Sequence, residues 1–319
     1  MLRLTQARHH TASTKRISWR HNGASESSHV VMGTTLRSPL RHLLSWLPFV
    51  AAFAVLFWPT LAWMAERFDA PDSFYSHGWL IPPSAAWLAW QRRDTLSRLT
   101  PRSSFWGLAL LVPSTIIHVL ASWWQVHFVS GFAMVASLWG LTWTCWGWSA
   151  VVALRFPLLF LLFMVPLPEV LLLSLSFQMK LLATTLATYL LHAVGVPALQ
   201  EGSLIRMPGI NVMVDDTCSG LRSLMSLVAL ATLWTAFMPA CAAGAAGRPS
   251  AGRWRKLVMV ASAVPIAVAA NMVRIAFLSL IGLAFGLQAA EGFIHYGSGM
   301  VVFGIAFLAL ALLSRLLQR

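Results

Sequence analysis

The chain has 319 residues, of which 58% are hydrophobic and only 10% are charged, whereas soluble domains carry roughly 25% charged residues. This composition excludes an ordinary soluble protein. It predicts an all-α polytopic integral membrane protein, because several apolar runs reach the ~20 residues that a helix needs to cross about 30 Å of hydrocarbon. The net charge of +13 lies mostly in short loops and at the termini, where basic residues report membrane orientation. We therefore expect a lipid bilayer, and no nucleic acid, around this protein.

The first 41 residues are polar and contain seven lysines and arginines. The first apolar run begins only near Leu43, too far into the chain for an ordinary cleaved signal peptide. Two interpretations stay open for residues 1–41. They form a basic, disordered cytoplasmic tail, or translation begins at Met32. Residues 42–319 are expected to form one transmembrane domain.

Nine apolar runs follow in chain order, and charge indicates which of them cross the membrane. Arginines between Arg92 and Arg102, a second basic cluster over 248–256, and the C-terminal arginines all mark cytoplasmic segments. The nine runs are 43–65, 78–91, 105–122, 130–148, 151–167, 170–195, 219–241, 257–286 and 297–316.

Five of these runs lie between the two basic clusters at 92–102 and 248–256. Because both clusters are expected on the cytoplasmic side, the chain must cross the membrane an even number of times between them, so one of the five runs does not cross. We expect 170–195 to be an interfacial helix, because it follows two prolines, contains Gln178 and Lys180, and mixes in serine and threonine. About eight transmembrane helices remain, with both termini cytoplasmic. Of the 23 lysines and arginines, 18 then lie inside, and eight of the ten acids lie outside or at the outer boundary.

The segment Gly202 to Asp216 has strand character instead. Two apolar stretches flank Pro208 and Gly209, which suit the central positions of a type II turn. We expect a small β-hairpin on the outer face that leads directly to the next motif.

That motif is DDTCSGLR, Asp215 to Arg222. Asp216 or Thr217 can cap a helix beginning near Cys218, and a thiol in the first turn of a helix is favoured as thiolate. Arg222 lies four residues on, hence on the same helix face, and adds positive charge. Gly220 leaves room for a backbone or a substrate to come close.

Two further motifs place ionisable side chains at the same depth. Arg274 lies 17 residues after Leu257, a rise of about 26 Å, so it arrives near the outer boundary. Asn271 shares its helix face and is expected to orient the guanidinium. His295 starts the last span at the outer face.

Each of these residues also has an ordinary interpretation. A cysteine in a membrane helix is usually inert, a boundary histidine is usually interfacial, and an arginine near a helix end commonly reaches for lipid headgroups. An ionisable group deep in an apolar run is by default functional. The joint placement of Cys218, Arg274 and His295 favours a catalytic site.

These motifs, in this order, resemble the exosortase/archaeosortase family of polytopic membrane cysteine transpeptidases. CSGLRS is the specific signal, whereas NxxRI and HxxxG are each weak alone. The similarity extends over about 43–316. It includes YSHGWLIPP (Tyr75 to Pro83), FPLLFLLFMVPLP (Phe156 to Pro168) and GVPALQEGSLIRMPG (Gly195 to Gly209).

The resemblance implies that Cys218 is the nucleophile and that Arg274 and His295 complete the active site. Arg222, Asn271, Ser219 and Gly220 are our candidates for supporting or substrate-binding roles. The sequence signals no metal and no organic cofactor. The implied partners are membrane-anchored proteins with a C-terminal tail made of a Pro-Glu-Pro-like motif, a transmembrane helix and a basic cluster. The implied setting is the bacterial inner membrane, with the active site on the periplasmic face and a role in surface or exopolysaccharide-linked sorting.

Two other classes of function share some of these features. A non-catalytic transporter or assembly scaffold would use Arg274 and His295 to line a polar path, but it should place them near mid-membrane. An acyltransferase that moves a lipid-linked group would use the same cysteine thioester without needing a protein tail.

Overall fold

The helices follow one another with short connections. The computed structural model describes residues 48, 50–71, 73–215, 218–238, 249–290 and 292–318, and those from Phe53 onward form one unit. The expectations for 1–41 and for Met32 lie outside the described residues. The α-helices are α1 (Trp58–Asp69), α2 (Ile81–Trp90), α3 (Arg93–Ser97), α4 (Leu108–Trp123), α5 (His127–Trp146), α6 (Trp148–Phe160), α7 (Glu169–Ala193), α8 (Leu221–Phe237), α9 (Pro249–Phe285), α10 (Leu287–Ala290) and α11 (Phe293–Gln318).

Each of the nine predicted apolar runs contains helix, which confirms a mainly helical, multi-pass membrane protein. Among the described residues, five helices are long and apolar enough to cross a bilayer. Helices α6 and α8 are apolar but shorter, with 13 and 17 residues, and α2 has only 10. The expected number of eight crossings therefore stays a prediction. The five candidate spans are Phe105–Trp123, His127–Trp146, Glu169–Ala193, Gly252–Phe285 and Gly297–Gln318.

Helix α7 differs from the expectation of an interfacial helix in one respect, because its length and composition qualify it as a span. Hydroxyl groups counted as polar in the sequence are bonded within the helix. Thr184, Thr185 and Thr188 each donate to the carbonyl four residues earlier, at 2.8–2.9 Å. Such bonds reduce the cost of placing a hydroxyl in an apolar environment.

The loops define two ends of the helical unit. At one end, which we call the Cys218 end, the segments 67–75, 125–128 and 166–173 meet Ser219 and Arg222 around one cavity. At the other end, the Gly147 end, the loop 99–104 meets Trp146 to Ser149. The basic loop after α2 thus lies at the end opposite Cys218, as the charge pattern predicts.

Both ends of α7 connect to the Cys218 end. Glu169 pairs with Arg67 at 3.3 Å and lines the same cavity as Arg222. At its other end, His192 bonds the carbonyl of Ala198, and the chain continues into the sheet that precedes Cys218. A helix of 25 residues is about 37 Å long, and a crossing helix would leave its ends on opposite sides.

The predicted hairpin is part of a slightly larger sheet. Strands β1 (Leu199–Glu201), β2 (Leu204–Met207) and β3 (Ile210–Met213) pair antiparallel in the order β1-β2-β3. Gly209, in the tight turn between β2 and β3, has φ +85°, which matches the third position of the predicted type II turn. Strand β1 is the addition that the sequence did not reveal.

Two buried clusters hold the unit together. The larger one joins the helices through apolar side chains such as Met64, Met134, Leu227 and Leu310. The smaller one combines the inner face of the sheet with α7, α9 and Cys218, through Leu191, Ile205 and Ile275 among others. The sheet is thereby packed directly beside the cysteine.

A polar cluster ties α1, α4 and α5 together inside the helical unit. His118 is 2% exposed, its Nδ1 lies 2.6 Å from Ser130 Oγ, and its Nε2 lies 2.9 Å from the Leu56 carbonyl. Thr60 also bonds Ser130. Both ring nitrogens therefore have partners, and we assign the cluster a structural role.

Candidate functional site

Cys218 lies in a turn just before α8. Its backbone N–H donates to the Asp215 carbonyl at 2.9 Å, and its side chain is buried, with 6% exposure. Helix α8 begins only at Leu221, after Gly220 in the left-handed region with φ +79°. The expectation that Cys218 occupies the first turn of the helix is therefore wrong. The proposed cap by Asp216 or Thr217 lies outside the described residues.

Asn271 holds the backbone of the cysteine. Its Nδ2 donates to the Cys218 carbonyl at 2.8 Å, and the residue is buried. A Cβ at position 220 would lie 2.8 Å from Asn271 Cγ, so the room at Gly220 is filled by this amide. The sequence predicts that Asn271 orients the arginine, whereas in the structure its amide bonds the backbone of Cys218.

His295 meets the thiol from the first turn of α11. Its Nε2 lies 3.6 Å from Cys218 Sγ, within the distance of a hydrogen bond to sulfur. Both side chains line a cavity of about 240 Å³ between the sheet, α9 and the start of α11. Two residues 77 positions apart in sequence are thus brought into contact.

Arg274 contacts the same first turn of α11. Its Nη2 donates to the His295 carbonyl at 3.2 Å, and its Nε donates to Ser298 Oγ at 3.4 Å. Ser298 in turn donates to the His295 carbonyl at 2.8 Å. Arg274 therefore joins α9 to the backbone of His295. Ser298 lies inside the HxxxG motif that begins at His295, although the motif alone assigns it no role.

Arg222 and Ser219 face a different cavity. This larger chamber, about 650 Å³, contains Arg67 and Glu169 together with aromatic and proline side chains. Arg222 Nη2 donates to the Pro71 carbonyl at 2.9 Å. The prediction that Arg222 shares a helix face with Cys218 fails because the cysteine precedes the helix, so i,i+4 geometry does not apply.

The loop between α1 and α2 braces this arrangement. His77 Nδ1 lies 3.3 Å from Ser226 Oγ, and the Leu167 N–H donates to Tyr75 Oη at 3.1 Å. Burial lowers the pKa of His77, an effect partly opposed by a bond to the Phe163 backbone. In the sequence this loop is notable only for its resemblance to the family, so its contacts with α8 and with Leu167 could not be predicted.

The described part of the chain contains no group of three histidine, cysteine or acidic side chains that could hold a metal ion. The arrangement is that of a thiol and an imidazole beside a small sheet, in a multi-pass helical membrane protein. The model of the transmembrane exosortase family matches residues 63–312, and the chain belongs to this family. Comparison with curated proteins and with solved structures returns no match.

Proposed function

We propose that the protein is a membrane-embedded cysteine transpeptidase or peptidase. The observation that carries this proposal is the contact between Cys218 Sγ and His295 Nε2 at 3.6 Å in a cavity bordered by the sheet. Membership of the transmembrane exosortase family supports the same reaction class.

The reaction begins with transfer of the thiol proton to His295. The Cys218 thiolate then attacks the scissile carbonyl, and the C–N bond breaks as His295 returns the proton to the leaving amine. The acyl group remains on sulfur as a thioester. An incoming amine or water, deprotonated by His295, attacks this thioester and restores the thiol.

Arg274 has two roles in this proposal. It holds the first turn of α11, and thereby His295, against the cysteine, which its bonds to the His295 carbonyl and to Ser298 support. Its permanent positive charge also suits stabilisation of the oxyanion that forms in each step. Asn271 is a positioning residue that fixes the Cys218 carbonyl.

The proposed substrates are exported, membrane-anchored proteins with a C-terminal sorting tail of a Pro-Glu-Pro-like motif, a transmembrane helix and a basic cluster. Arg222, whose side chain lines the larger chamber, is proposed to meet the acidic residue of that motif. We place the protein in the bacterial inner membrane with both termini cytoplasmic and the Cys218 end facing the periplasm, in surface or exopolysaccharide-linked sorting.

The central test replaces the nucleophile. Cys218→Ala is expected to abolish tail removal from a tagged reporter that ends in such a tail, with the protein level unchanged, because no thioester can form. Cys145→Ala is the matched control, since Cys145 lies in α5 outside both cavities described above, and it should process the reporter normally. Normal processing by the Cys218 variant would refute the proposal.

A second measurement separates peptide transfer from transfer of a lipid-linked group. Mass spectrometry of protein trapped by rapid acid quench should find an adduct on Cys218 whose mass matches the reporter's N-terminal part. A lipid-sized adduct on the same residue would instead identify an acyltransferase.

A further inference from the structure

Strand β3 has one edge that no other described strand covers. It pairs with β2 on one side only. The register matches Met207 with Ile210 and Ile205 with Val212, and the Val214 N–H donates to the Ser203 carbonyl at 2.9 Å.

This register fixes the direction of the backbone groups. In an antiparallel ladder, hydrogen-bonded and non-hydrogen-bonded pairs alternate. Since residues 210, 212 and 214 bond towards β2, the N–H and C=O groups of Asn211 and Met213 point towards the uncovered edge. No described residue provides a hydrogen-bond partner for them in the structure.

The cavity of Cys218 and His295 follows this same edge. Five consecutive residues, 211–215, line it, although neighbouring side chains of a strand point to opposite faces. Because consecutive residues of β3 all line the cavity, the cavity reaches both faces of the sheet and must run along the edge of this strand. The thiol and the imidazole lie along the same cavity.

We propose that the polypeptide to be cleaved binds in an extended conformation along β3 and adds a fourth strand to the sheet. Unpaired edge groups are a template for such pairing, and strand addition supplies affinity through main-chain bonds. The peptide backbone would bond Asn211 and Met213, and its scissile carbonyl would lie at Cys218. This inference rests on the proposed function and specifies how its substrate is held.

The buried side of the cavity sets a side-chain preference. Ile275 and Leu278 are 3% and 7% exposed and line the cavity, and Ile275 belongs to the buried cluster on the inner face of the sheet. Alternate residues of the added strand would lie on this inner face, so small or apolar side chains are accepted there. The intervening residues face away and can be polar.

Proline substitution tests the edge. Asn211→Pro and Met213→Pro remove an N–H group at positions where an edge strand tolerates proline, whereas Asn211→Ala and Met213→Ala keep the N–H and remove the side chain. Binding is measured as co-purification of the tagged reporter with the full-length protein, all in the Cys218→Ala background. Each proline variant should bind about five- to tenfold less reporter than the alanine variant at the same position. Equal binding by proline and alanine variants would overturn the inference.

A substrate-side test covers the case in which a proline variant does not fold. Synthetic peptides spanning the Pro-Glu-Pro motif and its flanks, with single N-methyl groups, compete with the reporter for the Cys218→Ala protein. Strand addition predicts loss of competition at every second position. The two prolines of the probe are two residues apart, so both can face away from β3. Loss at every position, or at none, would contradict strand addition.

The two proposals fail in different ways. If the Cys218→Ala protein still processes the reporter, the proposed chemistry is wrong whatever the binding pattern. If Cys218→Ala stops processing but N-methylation does not abolish competition at every second position, the proposed cysteine chemistry is retained and the peptide binds at another place than the edge of β3.

Discussion

At the scale of single residues, Asn271 and Gly220 set the position of Cys218. The amide of Asn271 occupies the space that a side chain at position 220 would need and donates to the cysteine carbonyl at 2.8 Å. The thiol is therefore held through its own backbone, in a turn that the left-handed glycine makes possible.

Asn271→Ala removes this donor and should lower the rate of tail removal. The net free-energy contribution of one hydrogen bond is about 1 kcal/mol. We therefore expect reporter processing to fall about five- to tenfold while the protein level stays normal. Ser279→Ala is the control, because Ser279 is fully buried on the same helix and its hydroxyl has no partner among the described residues. A comparable loss in both variants would indicate a general effect of altering α9.

The proximity of Cys218, Arg274 and His295 could be predicted because helix rise sets depth. Counting from Leu257 placed Arg274 level with the cysteine, and its bond to the His295 carbonyl at 3.2 Å agrees. The directions of Arg222 and Asn271 could not be predicted. They depend on α8 beginning three residues after Cys218, a boundary fixed by the φ angle of Gly220 and the packing of Asn271.

At the scale of elements, the loop between α1 and α2 supports the start of α8. The Pro71 carbonyl accepts from Arg222, and His77 contacts Ser226 one turn further along the helix. The segment that carries Cys218 is thus braced by the loop on one side and by α9 on the other.

Acidification should weaken this brace. Because burial lowers the pKa of His77 below 6.5 in the folded protein, the unfolded chain binds the proton more readily, and folding stability decreases as the pH falls below about 6.5. Thermal unfolding in detergent should show a smaller decrease between pH 7.5 and 5.5 for His77→Gln than for the unmodified protein. Equal decreases would show that His77 is not responsible.

The small sheet was only partly predictable. Its β2–β3 hairpin has alternating apolar residues and a Pro-Gly turn, which are local signals. Strand β1 is three residues long, LQE, and lacks such a pattern. Its pairing depends on the position of α7, which brings Leu199 opposite Arg206.

At the scale of the whole molecule, the placement of α7 determines how many times the chain crosses the membrane. Its apolar length fits a crossing, yet both its ends connect to the Cys218 end. The sequence alone does not determine whether α7 crosses the membrane, because its length and composition fit both a crossing helix and an interfacial helix. The contacts at its two ends are tertiary and cannot be derived from local sequence.

Labelling with an impermeant thiol reagent tests the proposed orientation. In a variant lacking the native cysteines, a cysteine at Ser203, in the β1–β2 turn, should react in intact cells. A cysteine at the exposed Ser97 should react only after lysis, because the basic loop is proposed to be cytoplasmic. Reaction of both sites in intact cells would refute this topology.

Helix α9 has 37 residues, about 55 Å at 1.5 Å per residue, which exceeds the hydrocarbon thickness of any ordinary bilayer. Lipids of different chain length would change the tilt of such a helix. Asn271 and Arg274, however, are less than one turn apart on it and hold Cys218 and His295 respectively. The distance between Cys218 Sγ and His295 Nε2 is therefore expected to change little with lipid composition. It is set by two residues within a single turn of α9 and not by the tilt of the whole helix.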